Sequence, residues 1–349
     1  VRAALKQESD TSLVSCAALH RHRSLWSWLS NGFRAAALGS ASVGISRRAG
    51  GDERARKSKQ ERFTALLHHV TPALLRESFY ALKRKAAPGV DGVTWQEYGT
   101  GLEDRLQDLH SRVHRGAYQA QPSKRRWIPK ANGKQRPLGI AALEDKIVQQ
   151  AVVTVLNAVY EEDFRGFSYG FRPGRGQHRA LDALYVAIKR RRVNWILDLD
   201  LKSFFDLISH EKLVQLIGKR IADPRILRLI QKWLKAGVME DGVWSETEAG
   251  TPQGAVVSPL LGNIYLHYVL DQWTDQWRQT ARGDITMVRY ADDAIVGFEH
   301  QDEAECYLRD LKEHLREYGL ELNEDKTRLI RFGRFARLNR TERGEGKPE

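Results

Sequence analysis

Apolar residues recur along this chain at two spacings, one typical of helices and one typical of strands. A spacing of three or four predicts helices over residues 61–83, 102–113, 144–160, 210–221, 258–277 and 301–318. Short apolar runs predict strands over residues 127–130, 136–140, 194–201 and 327–332. Two more strand-like runs, 285–290 and 294–298, flank a short turn. Helices interleaved with short strands predict an α+β fold in which an antiparallel sheet packs on helices, rather than a doubly wound parallel sheet.

Residues 1–60 lack these periods. The first fifty residues are rich in Ala, Ser and Arg and contain only two acids, Glu8 and Asp10. We therefore expect a basic, disordered N-terminal segment without a catalytic role. A transit peptide has a similar composition, so organellar import is an alternative.

The net charge of +12 predicts a polyanionic partner such as nucleic acid. Two basic patches carry much of it: Lys124, Arg125, Arg126, Lys130, Lys134 and Arg136 in one, and residues 189–192 in the other. The two cysteines, Cys16 and Cys306, provide no disulfide framework and fit a reducing compartment. No apolar run approaches the ~20 residues of a membrane span, so we expect a cytoplasmic protein.

The turn between residues 290 and 294 carries two adjacent carboxylates, Asp292 and Asp293. Strand alternation places two more acids, Asp198 and Asp200, on one face of another strand. Carboxylates supplied by two strands could hold a pair of metal ions about 3.5–4 Å apart, the arrangement used for in-line phosphoryl transfer. Magnesium suits such a site because it binds one or two carboxylates together with substrate phosphates. The simpler alternative is a solvated hairpin turn and a solvated strand end.

A Gly-rich loop at 249–254 precedes Ser258-Pro259, a typical helix start. Glycine permits close approach of a ligand to the backbone, and Gln253 could hydrogen-bond a sugar or a base edge. The alternative is an ordinary loop that leads into a helix.

Taken together and in order, seven motifs resemble the bacterial group II intron-encoded reverse transcriptases, over a match from about Ala87 to Glu349. The motifs are Pro88–Gly92; Ile128-Pro129-Lys130 with Arg136–Ile140; Ser168–Arg175 with His178; Asp200–Asp206; Gly250–Gly254 with Ser258-Pro259-Leu260; Tyr290–Asp293; and Leu322–Thr327.

The resemblance implies a right-hand polymerase with fingers over residues 61–190 and a palm with the catalytic centre over 191–335. Residues 336–349 would be a basic stub, since family members continue into a thumb and a maturase region. We therefore expect a fragment or a truncated product.

The resemblance also implies two magnesium ions held by Asp200, Asp292 and Asp293, with the Leu201 carbonyl as an extra ligand. Asp200 is preferred to Asp198 because it lies five residues before Phe205, which matches the sugar gate of the family.

The same resemblance assigns the incoming deoxynucleotide to a second group of residues. Lys130 and Arg136 match the triphosphate clamp, although contact with template backbone is an alternative for both. Phe205 would exclude a ribose 2′-hydroxyl, Gln253 would lie near the nucleotide, and Lys326 would protonate or position the pyrophosphate.

The implied activity is RNA-directed DNA polymerisation, a nucleotidyl transfer to a primer 3′-hydroxyl. The implied partners are an RNA template, a DNA or RNA primer, deoxynucleotides and group II intron RNA. Two alternatives stay open: an RNA-binding splicing factor with a vestigial polymerase site, and an RNA-directed RNA polymerase.

Overall fold

Two four-stranded sheets and the helices around them make up the structure, a computed structural model that describes residues 61–129, 133, 135–251 and 253–332. The α-helices are α1 (Pro72–Ala81), α2 (Trp95–Gly99), α3 (Leu102–Arg115), α4 (Leu143–Asp163), α5 (Gln177–Arg190), α6 (Phe204–Leu207), α7 (His210–Gly218), α8 (Pro224–Lys235), α9 (Ser258–Leu266), α10 (Gln272–Trp277) and α11 (Gln301–Glu317). The strands are β1 (Ser123–Pro129), β2 (Gln135–Ile140), β3 (Trp195–Asp200), β4 (Val238–Glu240), β5 (Val243–Ser245), β6 (Ile285–Tyr290), β7 (Asp293–Phe298) and β8 (Arg328–Arg331). The predicted α+β class is confirmed.

The sheet that carries the acids has the strand order β6-β7-β3-β8, with every neighbouring pair antiparallel. Alternation along β3 sends Leu197 and Leu199 into the main core, which α9 and α11 complete. Ile196 points to the other face and joins a smaller cluster with Ala180 and Leu184 of α5. Because Asp198 and Asp200 follow Ile196 at two-residue steps, they share its face of the sheet.

The second sheet has the order β2-β1-β4-β5. Strands β1 and β2 form the predicted antiparallel hairpin, with Lys124 opposite Ile140 and Pro129 opposite Gln135. Strand β4 lies parallel to β1, so this sheet also receives strands from the later part of the chain. The long helix α4 packs into the main core beside it.

Two helix predictions need correction. The helix predicted over residues 61–83 begins only at Pro72, because Thr71 caps it and proline occupies its first position; a 3₁₀ turn, Leu67–His69, precedes it. The helix predicted over 258–277 is interrupted by a π-helical segment, His267–Asp271, between α9 and α10. Among the described residues, no helix has the length and apolar character needed to cross a membrane.

Candidate active site

The acids predicted to act together lie at one end of the neighbouring strands β3 and β7. Asp200 is the last residue of β3 and is the register partner of Asp293, the first residue of β7. Asp293 also pairs with Tyr290 across the hairpin, so Asp292 lies in the two-residue turn between them. The structure therefore brings Asp200, Asp292 and Asp293 together at one strand end.

Electrostatics at this strand end favour a bound cation. Burial raises the pKa of Asp293 well above its usual range, and the neighbouring charges of Asp292, Asp200 and Asp198 raise it further, whereas Lys326 opposes the shift. Burial also raises the pKa of Asp292, with Asp200 adding to the effect. Carboxylates that repel one another in a desolvated place gain from a divalent cation, and their hard oxygens are the donors that magnesium prefers.

Lys326 already engages one of these acids. Its Nζ donates to Asp200 Oδ2 at 2.8 Å, and the Asn323 backbone N–H donates to the Asp200 carbonyl at 2.8 Å. Within the described parts of the chain, no three His, Cys, Asp or Glu side chains converge closely enough to hold a metal ion as they stand. The donor set fits magnesium in its chemistry, and the three acids lie at one strand end, but as they stand they form an open site rather than a closed protein cage.

The backbone after Asp200 is fixed by the loop that contains Lys326. Leu201 forms an antiparallel bridge with Leu322, and the Lys202 N–H donates to the Glu321 carbonyl at 2.9 Å. This pairing holds the Leu201 peptide next to the acids. Its role as a metal ligand stays a prediction.

The carboxylate turn has a special backbone conformation. Ala291 is the first of the two residues at the tip of the hairpin and has a φ of 58°. Glycine is the usual residue at a hairpin position with positive φ. A Cβ built on Gly170 would lie 2.2 Å from the Ala291 nitrogen, so residue 170 must be glycine for the turn to pack against it. This contact explains the glycine in the motif Ser168–Arg175.

Two residues predicted to bind the nucleotide contact each other. Arg136 Nε donates to Gln253 Oε1 at 2.8 Å, and Gln253 Nε2 donates to Asp206 Oδ1 at 3.1 Å. The Gly139 N–H also donates to the Gln253 carbonyl at 2.7 Å, which fixes the Gly-rich loop to strand β2. Asp206, which orients the Gln253 amide, has no role in the sequence prediction. Lys130 lies outside the described residues.

The two phenylalanines after Asp200 have different environments. Phe204 is buried in the core, whereas Phe205 is half-buried. Their rings meet edge to face with centroids 5.0 Å apart. The Phe205 ring lies against Gly262 of α9, where a Cβ would come within 2.9 Å of its Cε1 atom.

Arg172, in the motif Ser168–Arg175, makes its contacts inside the fold. Its guanidinium is buried, donates to the Glu161 carboxylate at 2.9 Å and donates to the Ser168 carbonyl at 2.7 Å. Arg172 therefore holds the Ser168–Arg175 loop together.

The family model described as "Reverse transcriptase (RNA-dependent DNA polymerase)" matches residues 128–342. These residues include every acid of the site. The chain belongs to the reverse transcriptase family. The resemblance proposed from its motifs is therefore confirmed at the level of the family.

Among related chains, Protein YkfC of Escherichia coli is 36% identical over 309 residues, which cover 77% of this chain and 80% of YkfC. The group II intron-encoded protein LtrA of Lactococcus lactis is 37% identical over 224 residues, which cover 62% of this chain and 37% of LtrA. The putative COX1/OXI3 intron 1 protein of Saccharomyces cerevisiae is 27% identical over 303 residues, 73% of this chain and 36% of that protein. The chain thus spans little more than a third of the two intron proteins.

Sequence reasoning overlooked three buried residues beneath the carboxylate turn of this reverse transcriptase: Asn263, Asp271 and Arg289. Arg289 has no exposed surface, although its side chain is charged. A signal was available, because Arg289 lies two residues after Met287 and therefore faces the core side of the sheet.

Proposed function

We propose that this protein is an RNA-directed DNA polymerase of the group II intron type, which adds deoxynucleotides to a primer 3′-hydroxyl. The observation that carries the proposal is the pairing of Asp200 with Asp293 across neighbouring strands, with Asp292 in the adjoining turn. Lys326 contacts Asp200 at this strand end, and Arg136 is paired with Gln253. The family model that covers these residues is described as an RNA-dependent DNA polymerase.

Asp200, Asp292 and Asp293 would provide carboxylate oxygens to two magnesium ions, with the Leu201 carbonyl as a further donor. When bound, the ions would stabilise the attacking and leaving oxygens of an in-line displacement at the α-phosphate. Arg136 carries a planar guanidinium suited to bidentate phosphate contacts, and its bond to Gln253 would keep that amide beside the bound nucleotide. Positioning and electrostatics would therefore do most of the catalytic work.

Phe205 and Lys326 complete the proposed site. The half-buried Phe205 ring, supported by Phe204 and α9, would occupy the place where a ribose 2′-hydroxyl must fit. Lys326 would leave Asp200 when metal binds and would then be available to the pyrophosphate, because a lysine ammonium competes with a divalent cation for the same carboxylate. Its side chain is 57% exposed, so it has room to move.

Primer extension on an RNA template tests the proposal. We expect incorporation of deoxynucleotides that requires magnesium, disappears on chelation and falls by at least about 10³-fold in Asp292→Ala. Asp302→Asn is a matched control, because Asp302 is an exposed acid of α11 paired with Arg282. Preferential use of ribonucleotides would favour an RNA-directed RNA polymerase instead. RNA binding without extension, unchanged in Asp292→Ala, would favour a splicing factor with a vestigial site.

The group II intron part of the proposal rests on the motif order and on the similarity to LtrA, whose name states that origin. Binding of group II intron RNA, compared with an unrelated structured RNA of equal length at the same salt concentration, tests it separately. Equal affinity for both RNAs would contradict this part and leave the polymerase proposal intact.

A further inference from the structure

Arg289 makes a buried network directly under the carboxylate turn. Its Nε and Nη2 donate to the two carboxylate oxygens of Asp271 at 2.7 and 2.6 Å. Its Nη1 donates to Asn263 Oδ1 at 3.0 Å and to the Ala291 carbonyl at 2.7 Å. Both members of the ion pair have fully buried side chains. The fork of Arg289 thus connects helix residues to the peptide that leads into Asp292.

The rest of the network fixes the turn from its other side. Asn263 Nδ2 donates to the Gly170 carbonyl at 2.7 Å, and the Gly170 backbone packs on Ala291. The backbone of Arg289 exchanges hydrogen bonds with Phe167 and Tyr169, each at 2.8 Å. The turn is therefore held between α9, the Phe167–Gly170 loop and strand β6.

Ala291 is the residue that needs such support. Its positive φ costs a non-glycine residue about 1–2 kcal/mol, and the surrounding structure must hold that conformation. The Arg289 Nη1 bond ends on the Ala291 carbonyl, the peptide that sets the direction of Asp292. A point-charge ammonium could not make the same forked set of bonds.

We infer that Arg289, held by Asp271 and Asn263, is a positioning residue that keeps Ala291 left-handed and so presents Asp292 and Asp293 to the metal. Arg289 itself touches no reacting group. The inference rests on the proposed function for its catalytic consequence, but the ability of the turn to bind a divalent ion can be measured without any polymerisation.

The first test is the variant Arg289→Lys, with Mn²⁺ as the probe and free Mn²⁺ measured by electron paramagnetic resonance. The relevant Mn²⁺ site is the one that Asp292→Ala abolishes. We expect its dissociation constant to rise about 10- to 100-fold in Arg289→Lys, the usual effect of removing a residue that supports a metal ligand. In primer extension we expect kcat to fall by a similar factor with little change in KM for deoxynucleotide. Unchanged Mn²⁺ affinity in a folded Arg289→Lys protein would overturn the inference.

Arg220→Lys is the matched control. Arg220 forms another buried ion pair, with Asp163 at 2.7 Å, and lies beside Phe63 in a different part of the fold. We expect it to lower the melting temperature without changing Mn²⁺ affinity. An equal loss of Mn²⁺ affinity in both variants would mean that general destabilisation explains the result and would overturn the inference.

Ala291→Gly tests the left-handed backbone itself. Glycine adopts positive φ without penalty, so Arg289→Lys/Ala291→Gly should recover about fivefold of the lost Mn²⁺ affinity, while Ala291→Gly alone should change it little. If Arg289→Lys does not fold, Asn263→Ala takes its place, because it keeps the ion pair and removes both amide bonds. Absence of rescue, or an Asn263→Ala protein with unchanged Mn²⁺ affinity, would overturn the inference.

These outcomes separate the two proposals. A wild-type protein that binds Mn²⁺ at the Asp292 site but never extends a primer contradicts the proposed polymerase function, and the titrations still decide the role of Arg289. A wild-type protein that extends primers but whose Arg289→Lys variant binds Mn²⁺ normally contradicts the positioning role alone.

Discussion

Gly262→Ala should disturb the proposed sugar gate without substituting the gate residue Phe205 itself. The new Cβ would lie 2.9 Å from Phe205 Cε1 and 3.2 Å from Phe204 Cε1. Phe204 is buried and cannot yield, so the half-buried Phe205 ring must move away from α9. Restoring an ordinary 3.4 Å contact requires a shift of about 0.5 Å toward the open side.

The size of the effect follows from that shift. A misplacement of 1 Å near the reacting groups can lower the rate about 10²-fold. A shift of half that distance should therefore raise KM for deoxynucleotide about tenfold. Ribonucleotides should suffer more, because the ring moves closer to the 2′-hydroxyl, and the preference for deoxynucleotides should rise. Overpacking costs about 1–3 kcal/mol, partly offset by up to ~1 kcal/mol of helix propensity, so the free energy of unfolding should fall by about 1–2 kcal/mol.

Single-nucleotide incorporation with deoxy- and ribonucleotides measures the kinetic part, and chemical denaturation measures the stability. Gly218→Ala is the control, because Gly218 ends α7 and a Cβ there meets no atom within 4 Å. If Gly262→Ala leaves KM and the sugar preference unchanged while its stability falls as expected, Phe205 does not act as the gate.

Three more outcomes are expected. Burial raises the pKa of Asp145 to about 6, so its stabilising contribution is present below about pH 4 and is lost as the pH rises through 6. In urea titrations, the unfolding free energy of wild type relative to Asp145→Asn should fall by roughly 2 kcal/mol between pH 4 and 7. Asp223 should show the opposite pH dependence: burial alone would raise its pKa, but the backbone N–H donors of Leu67 and Leu66 lower it. The unfolding free energy of wild type should therefore exceed that of Asp223→Asn above about pH 4, and the difference should shrink as the pH falls. A difference that does not change with pH would contradict this. Arg136→Lys should raise KM for deoxynucleotide about tenfold by releasing Gln253, whereas an unchanged KM would separate Arg136 from the nucleotide.

The elements that sequence predicts well are those whose apolar pattern is local and strong. Helix α4 has buried residues along its whole length, and its predicted span lies within three residues of each observed end. Helix α5 escaped prediction because only Ala180 and Leu184 of its fourteen residues are buried, which leaves little apolar stripe to detect. Helix α8 was a missed opportunity, since Asp223 and Pro224 give the usual start signal.

The candidate site divides in a similar way. Motif order placed the acids and the Arg136–Gln253 pair, because those residues stand in short, recognisable runs. The contacts of Arg289 with Asp271 and Asn263 span 18 and 26 residues along the chain, and no short motif contains them. The engagement of Asp200 by Lys326 is also non-local, and it depends on the loop that pairs with Leu201. Such contacts become visible only when the chain is folded.

The π-helical segment His267–Asp271 changes how this region tolerates insertions and deletions. In a regular α-helix, residues eight apart point about 80° away from each other, whereas Asn263 and Asp271 both reach Arg289. The wider π turn delays the rotation and brings the two side chains to one side. A regular α-helix of the same length would turn Asp271 about 80° away from Asn263, whereas deleting one residue would leave the two side chains seven residues apart and within about 20° of each other. A variant with the regular helix at full length would keep every acid of the active site and yet lose the support beneath them, so an intact acid motif alone is a poor guide to activity.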